Sequence, residues 1–167
     1  LSEERGGEVE KLWSPWRADY ILGERDEGCF LCRAASGDRD RENLVLYRSD
    51  RSFVVMNRYP YNPGHLMVAP FVHEGKLGAL QDRDLADLFE LVRHAVVVLE
   101  KAVSPDGINV GMNLGQVAGA GVLDHLHVHL VPRWNGDTNF MPVCAETKVI
   151  SQALEEAYEM LVKYFVK

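Results

Sequence analysis

The stretch Asp124-His-Leu-His-Val-His-Leu-Val-Pro-Arg-Trp134 decides how this 167-residue chain is read. Half of its six histidines stand at 125, 127 and 129, alternating with Leu126, Val128 and Leu130. Successive side chains of an extended strand point to opposite faces. A strand here puts three imidazoles in one row and turns the aliphatic side chains the other way. A single histidine on a half-buried strand is usually a packing residue, but strict alternation of three is hard to explain as packing. Near neutral pH an imidazole can serve as nucleophile, proton donor or metal ligand. A catalytic metal cluster is one reading, because His-x-His pairs on strands ligate metals. Such a cluster usually adds a carboxylate or a further histidine, whereas Pro132, Arg133 and Trp134 follow here.

Working outward, short apolar runs at 44–47, 53–56 and 65–69 read as strands joined by turns, one of them Pro60-Tyr-Asn-Pro-Gly64. Three strands with short connections favour an antiparallel meander. Residues 82–103 form the clearest helix, with Asp82 as its expected N-cap. Leu85, Leu88, Phe89, Val92, Val96, Leu99 and Val103 fall on its expected apolar face. The run 108–114 alternates Ile108, Val110, Met112 and Leu114 with Asn109, Gly111 and Asn113, the pattern of a strand with one buried and one polar face. A small-residue loop at 115–121 leads to a strand ending near Val131. A helix is expected at 149–166 and a short helix or arm at 11–22. The order predicts an α+β domain, an antiparallel meander sheet with a long packed helix. The chain divides into an arm at 1–28, a site-bearing domain at 29–140 and a C-terminal extension with a helix at 141–167.

Composition excludes several classes. Hydrophobic residues make up 47% and charged residues 26%, as in ordinary globular chains, so disorder is not expected. The net charge of −7, with no long basic run, argues against nucleic acid as a partner. A local site for a small phosphorylated ligand stays open. No apolar stretch is long enough to span a bilayer, so no membrane association is expected. Residues 1–5 read Leu-Ser-Glu-Glu-Arg, without the apolar core of a secretory leader, so a cytoplasmic location is expected. Three cysteines do not make a secreted disulfide framework. The Cys29-Phe-Leu-Cys32 spacing suggests metal or redox chemistry instead.

His125-Leu-His-Val-His-Leu-Val131 resembles the histidine-triad motif. Phe53-Val-Val-Met-Asn-Arg-Tyr-Pro-Tyr-Asn-Pro-Gly-His-Leu-Met-Val68 is similar to the upstream strands and Pro-Gly-His turn of that family. The likeness runs from about Cys29 to Phe140. The flanks Leu12-Trp-Ser-Pro-Trp-Arg17 and Pro132-Arg-Trp-Asn-Gly-Asp-Thr-Asn-Phe140 resemble the branch of diadenosine tetraphosphate phosphorylases, also called ATP adenylyltransferases.

The resemblance implies an enzyme attacking the α-phosphate of a nucleotide, with His127 as nucleophile through a nucleotidyl-histidine intermediate. His129 would contact phosphates or leaving group, and His125 completes the catalytic row. Asn57 matches a ribose-binding position and Asn113 a phosphate-binding one. Their plainer readings are a strand-end turn residue and a cap of the following loop. Phe30 would line the base pocket. Many triad proteins carry Gln and then Ser or Thr where Gly121 and Val122 stand here, so phosphate contacts would come from backbone N–H groups. That departure fits phosphate rather than water as acceptor. The resemblance also implies a structural zinc on Cys29, Cys32, His73 and His125, and a homodimer. His65 is expected to organise its turn, and Arg133 either meets a phosphate or pairs with an acid. Trp13, Trp16 and Trp134 either stack on a base or pack the terminal segments. Cys144 reads as a small buried hydrophobe and His94 as a surface or half-buried residue of the long helix. Rival functions are a phosphoramidate or dinucleoside polyphosphate hydrolase, a non-catalytic purine-nucleotide-binding module, and a zinc enzyme ligated by all three triad histidines.

Overall fold

The computed structural model describes residues 28–137 and 153–165. The expected arm at 11–22, Trp13, Trp16, Phe140, Cys144 and the start of the expected C-terminal helix lie outside the described residues. In chain order the elements are α1 (Phe30–Ser36), β1 (Val45–Arg48), β2 (Ser52–Met56), β3 (Leu66–Pro70), α2 (Asp82–Val103), β4 (Gly107–Gly111), β5 (Val128–Arg133) and α3 (Leu154–Leu161). The five strands form one antiparallel sheet in the order β1-β2-β3-β5-β4.

The first three strands make the expected meander, because turns of a few residues can only join antiparallel neighbours. The chain then crosses the sheet as α2 and returns at the far edge as β4. β5 fills the gap between β3 and β4, pairing His129 with Met67 on one side and with Gly111 on the other. The histidine-bearing strand therefore lies inside the sheet, and its aliphatic alternates Val128 and Leu130 are buried.

Helix α2 packs across β2, β3 and β5. Its buried residues are Leu88, Leu91, Val92, Ala95, Val98 and Leu99, at three- and four-residue spacings. Each fully buried leucine adds about 1.5–3 kcal/mol. The face is rotated from the expected one, and Phe89 is 47% exposed. Gln81, rather than Asp82, is the N-cap, and it makes no side-chain capping bond. Asp82 and Asp84 in the first turn favour the helix dipole instead.

Strand β4 also differs from expectation. It stops at Gly111, and its expected apolar face is only half covered: Ile108 and Met112 are half-buried against the core, whereas Val110 is 47% and Leu114 48% exposed. The reason is position, since α2 covers β2, β3 and β5 while β4 lies at the edge beyond them. The C-terminal helix α3 docks beside α2 and donates the Tyr158 hydroxyl to the Val45 carbonyl at 3.2 Å. Among the described residues no helix is long and apolar enough to cross a membrane.

Candidate active site

Only His129 sits within β5; His125 and His127 lie in the run just before it. Two bonds hold this run to the end of β3 and the segment that follows it. Leu126 donates its N–H to the Glu74 carbonyl at 2.7 Å, and the His125 Nε2–H donates to the Pro70 carbonyl at 2.8 Å. His125 and His127 are buried and His129 half-buried, so the imidazole row does not lie on an open face. The rings of His127 and His129 meet edge to face at a centroid distance of 4.8 Å.

The hydrogen bonds assign each ring its proton. A carbonyl only accepts, so the His125 proton is on Nε2 and its Nδ1 lone pair is available. His127 donates Nδ1–H to the His125 carbonyl at 2.9 Å, which leaves Nε2 as a lone pair. The N–H of Tyr61 donates to His65 Nδ1 at 3.1 Å, so His65 carries its proton on Nε2 and donates it to His129 Nδ1 at 3.0 Å. His129 in turn keeps its proton on Nε2. Burial, and next the charge of His127, push the His129 pKa down to about 4, so this ring is neutral at physiological pH. Burial likewise lowers the His125 pKa, against the Pro70 hydrogen bond. Apart from His125 Nδ1, which faces the Cys29 and Cys32 sulfurs, the row offers a lone pair on His127 Nε2 next to an N–H on His129 Nε2.

The ligand atoms of Cys29, Cys32, His73 and His125 lie within 4.8 Å of one another, a possible metal site. His125 Nδ1 is 3.4 Å from both sulfurs, and His73 Nδ1 is 3.1 Å from the Cys32 sulfur. Two sulfurs and two ring nitrogens match the donor set of a closed tetrahedral centre. The Pro70 carbonyl supplies the outer hydrogen bond that orients a ligating imidazole. Desolvation first, then the hydrogen bond and charge of Cys29, raise the Cys32 pKa, and a cation among these donors would reverse that. Gly75 lets the His73 segment lie against the His125 segment, because a Cβ there would run into the Leu123 carbonyl.

The other expected residues are spread around this centre. Asn57, just after β2, accepts the Tyr59 N–H on Oδ1 at 2.9 Å, a turn role. Asn113 donates Nδ2–H to the Gly119 carbonyl at 3.2 Å and so shapes the small-residue loop. Three N–H groups of that loop, of Ala118, Gly119 and Ala120, are used inside it. Gly121 and Val122 follow, and among the described residues no hydrogen bond uses their N–H groups. Phe30 opens α1 and is 38% exposed. Arg133 pairs with Asp137, through Nε at 2.6 Å and Nη2 at 2.8 Å, as one of its two readings has it. Trp134 is half-buried, and His94 packs against Tyr47 and Phe165.

Sequence reasoning missed three features. It gave His65 only a turn role, although the Pro-Gly-His turn was visible. It did not see that the cysteine pair opens a helix. It also overlooked Arg48, whose guanidinium binds the carbonyls of Ala34, Ala35 and Gly37 at 2.6–3.1 Å together with the Asp40 carboxylate. That one side chain caps the end of α1 and ties the cysteine-bearing helix to the sheet.

Comparison with known proteins identifies the family and the fold. The family model described as HIT domain matches residues 38–136. A protein of Mycobacterium tuberculosis named AP-4-A phosphorylase is 38% identical over 162 residues, 92% of this chain and 83% of that one. A solved structure titled a hypothetical histidine triad nucleotide-binding protein, from Sulfolobus tokodaii, superposes with a TM-score of 0.64 at 29% identity, over 82% of this chain and 89% of that one. A Zn-bound histidine triad family protein of Mycobacterium smegmatis shares the fold, with a TM-score of 0.66 at 22% identity over 83% and 93% of the two chains.

Proposed function

The chain belongs to the histidine triad family, and from that premise we propose that it is a nucleotidyl-transferring enzyme that phosphorolyses dinucleoside polyphosphates. The observation that carries the reading is the assigned proton pattern, a lone pair on His127 Nε2 beside a donor on His129 Nε2.

In the proposed reaction His127 Nε2 attacks the α-phosphorus. An N–P bond forms and the bond from phosphorus to the bridging oxygen breaks. The positive charge that develops on the imidazole is stabilised where its Nδ1–H meets the His125 carbonyl. The departing nucleoside polyphosphate is a stable anion, so it needs a hydrogen bond rather than a full proton. A neutral His129 supplies that bond from Nε2–H. An oxygen of inorganic phosphate then attacks the same phosphorus, the N–P bond breaks, and the His127 lone pair returns. With diadenosine tetraphosphate and phosphate the products are ATP and ADP. Splitting one displacement into two is the advantage of a covalent intermediate.

The remaining residues take supporting parts in this proposal. Asn57 holds the ribose, Asn113 and the N–H groups of Gly121 and Val122 hold phosphate oxygens, and Phe30 lines the base pocket. Phosphate as acceptor is supported by the lack of side-chain amide and hydroxyl at Gly121 and Val122, and by the likeness to the M. tuberculosis phosphorylase. Cys29, Cys32, His73 and His125 would hold a zinc ion that closes four-coordinate and is structural. It would fix the residue whose carbonyl orients His127. A second copy of the chain would cover the exposed apolar side chains of β4, giving a homodimer.

The test is incubation of diadenosine tetraphosphate with and without inorganic phosphate, using wild type and His127→Ala, with nucleotides resolved by chromatography. Phosphate-dependent ATP plus ADP is expected, reduced by about 10³-fold or more in the variant. AMP released without phosphate would make the enzyme a hydrolase. Undiminished turnover by His127→Ala would remove His127 from the role of nucleophile.

A further inference from the structure

We propose that Tyr61 is a stacking platform for the second nucleoside of a dinucleoside substrate, the half that departs; this rests on the nucleotidyl-transfer reading above. Tyr61 lies in the turn between β2 and β3 and is 54% exposed, so the ring is not there to fill the core. It is nonetheless held on one side. Its centroid is 4.7 Å from that of His65, with the planes at 37°, and 6.1 Å from that of His129, at 31°.

The turn that carries it is fastened on both sides of the residue. The Tyr61 N–H is bonded to His65 Nδ1 at 3.1 Å. The next residue, Asn62, is buried and donates Nδ2–H to the Pro132 carbonyl at 2.8 Å and to the Asp137 carboxylate at 2.7 Å. Its own carbonyl accepts the His65 N–H at 3.1 Å. An aromatic ring fixed in this way loses little freedom when a ligand arrives. The ring is in contact with the imidazoles, and more than half of the residue is left to solvent.

Position determines which part of the substrate it meets. Tyr61 borders His129, whose Nε2–H is the donor toward the leaving group, rather than the metal-ligand cluster. A planar heterocycle at the end of that leaving group finds in Tyr61 a rigid π surface. Stacking of a base on an aromatic side chain is insensitive to base identity, so the platform selects for a second nucleoside without selecting which one.

The experiment compares diadenosine tetraphosphate with adenosine 5′-phosphosulfate, whose leaving group carries no base. The kcat/KM ratio of the two substrates is measured for wild type, Tyr61→Phe and Tyr61→Leu. Phe is expected to keep the ratio within about twofold, and Leu to lower it about tenfold or more. Equal losses on both substrates would overturn the platform and leave Tyr61 as a prop for His65 and His129. If wild type turns over neither substrate, the nucleotidyl-transfer reading fails by itself. Calorimetric binding of diadenosine tetraphosphate and of AMP then decides the platform. A tenfold selective weakening of the dinucleotide in Tyr61→Leu supports it, and an unchanged affinity ratio overturns it.

Discussion

At the residue scale, the chemistry of this site depends on which ring nitrogen of each histidine holds the proton. His127 has its lone pair on Nε2 because its other nitrogen is occupied, and His129 presents an N–H because His65 takes up its Nδ1. Replacing His65 by Phe removes both the acceptor for the Tyr61 N–H and the donor to His129. Turnover in His65→Phe is expected to fall about 100-fold, with KM changing far less. Nitrogen NMR of the His129 ring should show loss of the single Nε2–H tautomer in the same variant. The alternation at 125, 127 and 129 made the triad legible in the sequence. The direction of its hydrogen bonds was not legible, because the partners come from residues 60 or more positions away or from the backbone. His65 follows a Pro-Gly pair and reads as a turn residue until the fold brings β3 beside β5.

At the scale of elements, the long helix and the first three strands could be read from periodicity and turn residues. What periodicity could not supply was the neighbour of each face. The alternating run at 108–114 looks like a half-buried strand, and only the sheet order reveals it as an edge beyond the three strands that α2 packs across. Helix α1 was hidden for another reason: seven residues between a cysteine pair and a polar loop are too few to show a helical period. Its end is held by Arg48 from another element. The C-terminal end of α2 offers a clean test. Ser104 there adopts a left-handed conformation, φ 44° and ψ 58°, which costs a residue with a Cβ. Ser104→Gly is expected to stabilise the protein by about 0.5–1 kcal/mol, raising Tm by about 2 °C in a thermal melt.

For the molecule as a whole, the buried histidines make stability depend on pH. The His129 pKa of about 4 lies below its ordinary 6.5. Above 6.5 the ring is neutral in both folded and unfolded chains, and its contribution is fully present. As pH falls from 6.5 toward 4 the unfolded chain takes up a proton that the folded one refuses, so stability declines across that window. Urea unfolding at a series of pH values should show this decline, and His129→Gln should flatten it. The overall class, α+β with an antiparallel sheet, could be read from the order of segments. The insertion of β5 between β3 and β4 could not, since no local pattern records which strands become neighbours across a crossover.

The hydrogen bonds to Pro70 and His125 have one further consequence. Both acceptors are main-chain carbonyls, atoms that every amino acid contributes. Replacing Pro70 by another residue would leave its oxygen in place, and the proton on His125 with it. Two members of the row are thus oriented by the path of the chain, whatever side chains that path carries. The third is oriented by an erasable partner, His65. One codon change at residue 65 can therefore undo the orientation of His129, whereas the orientation of His125 and His127 is lost only if the backbone itself moves.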